Sequence, residues 1–334
     1  MPTSTYARFG DPYGYQASIR SSDVELVVTG RGKFRAELIT TDLHRLWMQW
    51  GCENLPRIAH SAQSEKRTGI FFLASLDEPA ICYSGRELTA GEIVVQSSGE
   101  AGYQRTSAAC RWAAKSLPSE DLAVAVRSLA GRDFHAPRST SAIRPSRRAF
   151  ARLLRLHTVA DSLAQKAPQS LVHPEMGRAL ENALVHAMVI CLTEDASAPD
   201  TFGGRSHATV MQRFERVLAA EPKRPLYLAE ICAATGVSER TLRNCCHEHL
   251  GMGPTRFLWL RRMHLTRRAL QRADAKTTSV TAIAGDHGFW ELGRFSVAYR
   301  SLFGESPSAT LRRACSVPPA SHDAPFALGP AVSA

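Results

Sequence analysis

The polar side chains best placed to do chemistry lie between Ser238 and His247. At helical spacing Arg240, Arg243 and Asn244 fall on the face opposite Leu242, and His247 follows one turn on. A guanidinium fork matches O6 and N7 of guanine, and a carboxamide matches N6 and N7 of adenine. Each such pair gives about 1–3 kcal/mol of discrimination in a major groove. Ser238 stands at the helix start, where its oxygen can accept a backbone N–H as the N-cap. Phosphate contact or a solvated face is the plainer use of each arginine.

Other chemistries find less support. His247 and His249 are two residues apart, whereas two ligands on one helix face need a spacing of four. His247 then reads as a phosphate or groove contact and His249 as packing. Cys245 and Cys246 read as helix packing. His44, His60 and His135 are too scattered for a metal-dependent β-barrel enzyme. The expectation is no metal, no cofactor and no enzyme activity. A DNA-repair methyl acceptor would need a clustered cysteine set, and the eight cysteines at 52, 82, 110, 191, 232, 245, 246 and 315 are dispersed.

The elements that must position these residues form a repeated pattern. Residues 228–242 and 280–295 each hold an apolar helix with a small residue (Cys232, Ala284) four positions before a turn glycine (Gly236, Gly288). An apolar residue follows each glycine (Val237, Phe289), and another sits inside the next helix (Leu242, Phe295). The two copies start 52 positions apart. Steeply crossing helices need a small side chain at their contact, and a tight turn favours glycine at positive φ. This is the pattern of a helix-turn-helix, with one face of the second helix free for a major groove. Between the copies, residues 253–271 carry Pro254 at a first turn and no breaker before Asp274. About 18 helical residues span about 27 Å. With its flanking turns such a rod could hold two recognition helices about 34 Å apart, one turn of B-DNA.

Charge agrees with this reading. Residues 206–315 hold 17 Lys+Arg and 9 Asp+Glu, a net +8 of the chain's +10. Phosphate neutralisation supplies most non-specific DNA affinity.

The chain has 334 residues, 44% apolar and 22% charged, which suits two or three soluble globular domains. No stretch approaches the roughly 20 apolar residues of a membrane span, and the first residues lack an export pattern. With reduced cysteines, this predicts a cytoplasmic protein. The expected fold class is multidomain α+β. Residues 1–140 form a β-rich domain, with strands over 24–28, 33–39, 46–50, 69–74 and 92–96, arranged as a barrel or sandwich. Residues 141–194 form a helical connector with one helix from Pro145 and another opening at Pro174. They either make a homodimer surface or cap the β domain. Residues 195–206 are a linker, 207–314 an all-α domain with two helix-turn-helix motifs, and 315–334 a disordered tail.

Arg262, Met263, Thr266, Leu270, Ile283, Ala284, Gly288, Phe289, Phe295, Tyr299, Phe303, Gly304, Ser306 and Pro307 carry a specific resemblance. Over about residues 207–313 the chain resembles the AraC/XylS-type transcriptional regulators. Residues 288–295 look nearest to the branch containing the ethanolamine-utilisation regulator. The N-terminal region is more weakly similar to the cupin-like sensor domains of that family. The resemblance implies a sequence-specific regulator of double-stranded DNA, usually an activator that recruits RNA polymerase and responds to a small-molecule effector. Arg240, Arg243 and Asn244 match its base-contacting positions. In the second helix, positions often polar in the family hold Leu292, Gly293 and Val297, leaving Trp290, Glu291 and Arg294. The second unit is therefore expected to act mainly as an anchor, with Arg294 and Arg300 on phosphate and Trp290 against sugar or a thymine methyl. An effector pocket in the β domain would draw on Trp47, Trp50, Arg57, His60, Phe72 and Tyr83, though ordinary core packing is the plainer use of each. An architectural DNA-binding protein without effector is the rival reading, and a cupin-type enzyme fused to a DNA-binding module a remoter one.

Overall fold

The strand at Ser22–Val28 ends in three apolar residues, Leu26, Val27 and Val28, that fall on both of its faces, and the computed structural model shows what each face meets. Leu26 and Val28 enter a core between two β-sheets, with Tyr15, Phe34 and Trp112. Val27 points the opposite way and joins the core of the C-terminal helices, as do Ile58 and Tyr103. Successive side chains of a strand alternate between faces, so a strand with apolar side chains on both faces needs a layer on each side. The structure describes residues 2–316 apart from 21, 63–65, 136, 138, 194–199, 202–204 and 222–224.

Among the described residues one antiparallel sheet runs β1 (Thr3–Phe9), β3 (Ala36–Leu43), β4 (Leu46–Glu53), β11 (Cys110–Pro118), β6 (Arg67–Leu73), β9 (Ile93–Gln96), β12 (Ser141–Ile143), β13 (Asp200–Thr201). The other runs β2 (Ser22–Val28), β5 (Arg57–Ala62), β10 (Ala101–Arg105), β7 (Ile81–Tyr83), β8 (Arg86–Leu88). Helices α1 (Pro12–Ser18), α2 (Ser119–Ala130), α3 (Arg147–Lys166), α4 (Pro168–Val172) and α5 (Pro174–Thr193) accompany them. The C-terminal helices are α6 (Arg205–Ala220), α7 (Leu228–Thr235), α8 (Glu239–Leu250), α9 (Pro254–Arg272), α10 (Val280–Asp286), α11 (Leu292–Phe303) and α12 (Pro307–Ser316). No helix among the described residues is long and apolar enough to cross a membrane.

The order of layers is therefore α2, α3 and α5, then the larger sheet, then the smaller sheet, then the C-terminal helices. The segment 141–194, expected as a connector, is part of the first layer. Phe150, Leu153, Leu184 and Met188 pack with Met48, Ile70, Phe72 and Leu117 of the larger sheet in one core. Most of their apolar stripes thus cap the β domain, while Val159 and Met176 stay exposed. Ser141 to Ile143 also pair with β9 as a sheet strand. Part of the expected linker, Asp200–Thr201, extends the sheet by pairing with β12. The rest of 195–206 lies largely outside the described residues; of the tail expected from 315, residues 315 and 316 end the last helix and the rest lies outside the described residues.

Between the sheets a polar knot is fully buried. Arg57 Nε donates to Glu53 Oε2 (2.9 Å), and Arg57 Nη1 donates to the Gln104 carbonyl (3.1 Å). Glu53 Oε1 accepts from the Tyr15 hydroxyl (2.9 Å) and from Trp112 Nε1 (3.0 Å). Such a pair is tolerable without water because nearly every donor has an acceptor. Gly51 follows from it, since a Cβ there would stand 2.3 Å from Trp112 Cε2. The indole cannot retreat without breaking its bond to Glu53. Gly51→Ala should therefore destabilise the chain by about 2–3 kcal/mol, the upper range for overpacking. Equilibrium unfolding in denaturant would measure it, and an unchanged midpoint would contradict the account.

Candidate nucleic-acid interface

Two helix pairs, α7 with α8 and α10 with α11, share one turn chemistry. Gly236 has φ 71° and Gly288 φ 75°, the left-handed region that glycine adopts readily. The next amide closes the same bond in both: Val237 N–H donates to the Cys232 carbonyl (3.3 Å) and Phe289 N–H to the Ala284 carbonyl (2.9 Å). At Gly288 space adds a second demand, because a Cβ would lie 2.9 Å from Pro225 Cγ. Ile231 and Leu242, and in the second pair Ile283, Ala284 and Phe295, are buried, whereas Cys232, the expected counterpart of Ala284, is only half-buried.

The α8 face is open. Ser238 caps the helix, its Oγ accepting from Thr241 N–H at 3.2 Å, so its hydroxyl serves the fold first. Arg240, Arg243, Asn244 and His247 are all exposed, whereas Leu242, Cys245, Cys246, His249 and Leu250 are buried. Arg243 pairs with Glu239 one turn back, which holds its guanidinium along the helix face. His247 and His249 lie on opposite sides of the helix. Burial pushes the Cys246 thiol up to about 12, away from thiolate chemistry. Among the described residues no group of three or more His, Cys, Asp or Glu could hold a metal ion.

The α11 face has different chemistry on the same scaffold. Its first helix follows the earlier copy at 52 residues, but its second follows at 53, because the second turn is one residue longer. Buried Leu242, Cys246 and Leu250 correspond to Phe295, Tyr299 and Phe303, and the terminal glycines Gly251 and Gly304 correspond likewise. Trp290 and Val297 are 81% and 73% exposed. Glu291 and Arg294 form an exposed ion pair at 2.9 Å, and Arg300 is exposed in the last turn.

The rod between the pairs is α9, 19 residues long, hence about 28 Å. Its arginines correct the simple reading of the local +8 charge. Arg261 donates to Glu25 (2.6 Å) on β2, and Arg267 pairs with Glu305 (3.1 Å) and more distantly Asp11 (3.8 Å). Arg268 donates to the Tyr13 hydroxyl (3.1 Å), and Arg272 reaches the same oxygen. Four of the six α9 arginines therefore face the β domain. Residues 261, 264, 268 and 272 share one helix side, a stripe visible in the sequence. Its partner surface was not visible, since it lies over 200 residues away.

The β domain also touches the C-terminal ends of both exposed helices. A Cβ on Gly251 would stand 2.8 Å from Arg105 Cδ, and one on Gly304 3.2 Å from Lys33 Cγ. The Gly32 amide donates to the Leu302 carbonyl (3.1 Å). Cations at helix C-termini are favoured by the helix dipole. The exposed faces of α8 and α11 stay uncovered in this docked arrangement.

Beside the docking contact is a cavity of about 710 Å³, bounded by α1, β2, β5 and β10 on one side and α6 and α9 on the other. Glu25, Tyr103, Glu215, Arg261, His264 and Arg268 are among its lining residues. Glu215 accepts from the Tyr103 hydroxyl and lies 3.4 Å from His60 Nδ1; burial raises the pKa of both Glu215 and Tyr103. The expected effector residues do not converge within the β domain. Phe72 packs towards the capping helices with Trp50 beside it, and Arg57 is locked between the sheets. His60 and Tyr83 do line the interdomain cavity. Trp47 is covered by the Arg67 guanidinium, 3.7 Å from its ring.

Comparison with known proteins bears on the C-terminal third. Residues 231–313 match the family described as helix-turn-helix domain. The chain is 38% identical over 111 residues to a XylDLEGF operon transcriptional activator of Pseudomonas putida, covering 33% of each chain. It is 31% identical over 147 residues to a probable thc operon regulatory protein of Rhodococcus erythropolis, covering 44% of each. The match thus spans about a third to under half the length of these relatives. The crystal structure of the AraC-like transcriptional activator CuxR aligns over 85% of this chain and all of its own, with 15% identity and a TM-score of 0.42.

His264 makes the docking pH-dependent. Its Nε2 lies 2.9 Å from the Val28 carbonyl, which accepts its N–H, and burial lowers its pKa to about 4. An unfolded histidine titrates near about 6.5. Between these values the unfolded chain binds more protons, so this contribution is complete above about pH 6.5 and lost as pH falls towards 4. The thermal midpoint should fall less between pH 7 and pH 5 in His264→Gln, which keeps a donor for Val28, than in the native chain. Equal falls would refute the assignment.

Proposed function

We propose that this chain, whose C-terminal third is similar to AraC/XylS-type transcriptional regulators, is a sequence-specific DNA-binding regulator, acting as an activator in the cytoplasm. The observation that carries the proposal is the pair of exposed second helices, α8 and α11, built on one turn chemistry and joined by a single rod. Their open faces are the ones a major groove would receive. Arg240, Arg243 and Asn244 read base edges. Arg294, Arg300 and His247 meet the backbone, Trp290 packs beside a sugar, and Ser238 caps its helix. Both heads act from one face of the duplex, because the rod sets them about one DNA turn apart in successive major grooves. The second unit resembles the ethanolamine-utilisation branch most, and RNA polymerase is the protein partner this reading implies.

The β domain is a cupin-like sensor in this proposal. The effector sits in the cavity between the sheet and the C-terminal helices, lined by Glu215, Arg261 and Arg268, instead of inside the β domain. A molecule there would bind the docked arrangement better than an undocked one and so shift its population. The interdomain position of the cavity favours this over an architectural DNA-binding protein without effector, and titrating metabolites while following DNA affinity separates the two.

Selection from a randomised duplex pool tests the DNA reading. Arg240→Ala should relax the base preference at one position by about 1–3 kcal/mol. Arg300→Ala should instead weaken all duplexes about equally and lower the salt slope by about one. The reverse order would dismiss the assignment.

A further inference from the structure

We propose that α11 reads the 5-methyl group of thymine, with Val297 as the specificity-determining residue and Gly293 allowing close approach to the groove floor. The inference rests on the DNA-binding reading above and concerns what the second head recognises.

The structural correspondence between the two heads supplies the first observation. At the 53-residue offset, Arg240, Arg243, Asn244 and His247 of α8 correspond to Gly293, Ser296, Val297 and Arg300 of α11. Buried positions stay mostly apolar between the copies, and the terminal glycine is kept. The outward positions change, from charged and amide groups to a bare backbone, a hydroxyl and an aliphatic side chain.

Val297 has no use inside the chain. It is 73% exposed on a helix whose buried face is filled by Phe295, Tyr299, Leu302 and Phe303. Nor does the fold demand Gly293. Its φ is not positive, and a Cβ built there meets nothing within 4 Å. Gly293 lies in the first turn of α11, where neither a special backbone conformation nor a close contact selects glycine. The open space beside it is therefore of use to something outside the chain.

The occupant follows from the flanking charges and from the groove itself. Arg294, 86% exposed at its side chain, and Arg300 stand either side of Val297 along the helix. Cations flanking an apolar patch match phosphates on either side of a groove. The only apolar group that base pairs present in the major groove is the thymine methyl. Valine has no hydrogen-bonding group, so it discriminates by burying that methyl, and omitting a Cβ at Gly293 lets the helix come closer.

The test uses the full chain and a duplex recovered by it from a randomised pool, with footprinting to assign the two half-sites. Each thymidine of the half-site under α11 is replaced singly by deoxyuridine, which removes only the methyl. Affinity should fall about fourfold at one or two positions, the effect of about one buried methyl-sized group. In Val297→Ala the same replacements should cause no further loss, and Val297→Asn should shift the preferred base there from thymine to adenine. If the duplex depends on Arg240 yet no deoxyuridine matters, the inference falls and the DNA reading stands. If methyl sensitivity survives in Val297→Ala, another group reads it and the inference also falls. Unchanged DNA affinity in Val297→Ala together with lost transcription would instead assign the patch to a protein partner. Recovery of no duplex at all would remove both readings.

Discussion

The burial of the smaller sheet on both faces is the constraint on which the rest of the structure depends. Its inner face closes the sandwich, while Val27, Ile58 and Tyr103 on its outer face enter the same core as Phe214, Leu218 and Phe257. Apolar area of this kind drives association without directing it. Direction comes from the polar contacts around it: Arg261 to Glu25, His264 to the Val28 carbonyl, Gln271 to Asp11 (2.7 Å). They set where α9 lies on the sheet, and through α9 where both exposed helices lie. The glycine ends of α8 and α11 rest on Arg105 and Lys33, so the β domain touches each head as well as the rod.

Much of the C-terminal region is legible in the sequence because its determinants are local. A small residue, a glycine and an apolar residue within six positions define each turn, and Pro254 with an unbroken run defines the rod. The one-residue difference between the second helices is implicit in the pairing of Leu242 with Phe295, and the burial of Phe295, Tyr299 and Phe303 extends it along the whole helix. In the β domain, strands that read as apolar runs are found near their expected places. The central strand β11 does not read so, because Lys115 interrupts it. Its Nζ donates to His157 Nδ1 (2.8 Å) on α3, and burial pulls the lysine below its usual value. Only the distant helix makes a lysine acceptable there.

The candidate effector residues show the same limit. Aromatic and basic types suit a pocket and a core equally, and partners distant in sequence decide between them. Arg57 is used by Glu53 and Gln104 inside the sandwich, and Phe72 meets Phe150 and His157 ring to ring. The cavity instead forms where two units meet, lined by residues from both ends of the chain. No local pattern encodes it. A stripe of basic residues on α9 was visible, but its meaning depends on what faces it.

That stripe also changes how the charge of the chain is understood. Net charge attracts a polyanion only to the extent that its cations face outward. Arg261 and Arg267 are buried against Glu25 and Glu305, and Arg268 and Arg272 share the Tyr13 hydroxyl. The open faces of the heads keep exposed cations, Arg240 and Arg243 on one and Arg294 and Arg300 on the other, and Arg256 stays exposed at the start of the rod. The buried arginines of α9 add little to the attraction a polyanion would feel. Two heads held by one rigid block gain from this arrangement. In the proposed complex, phosphate contacts beside each helix would place it in register, and the side chains at its centre, polar in α8 and apolar in α11, would meet different groups in successive turns of the major groove.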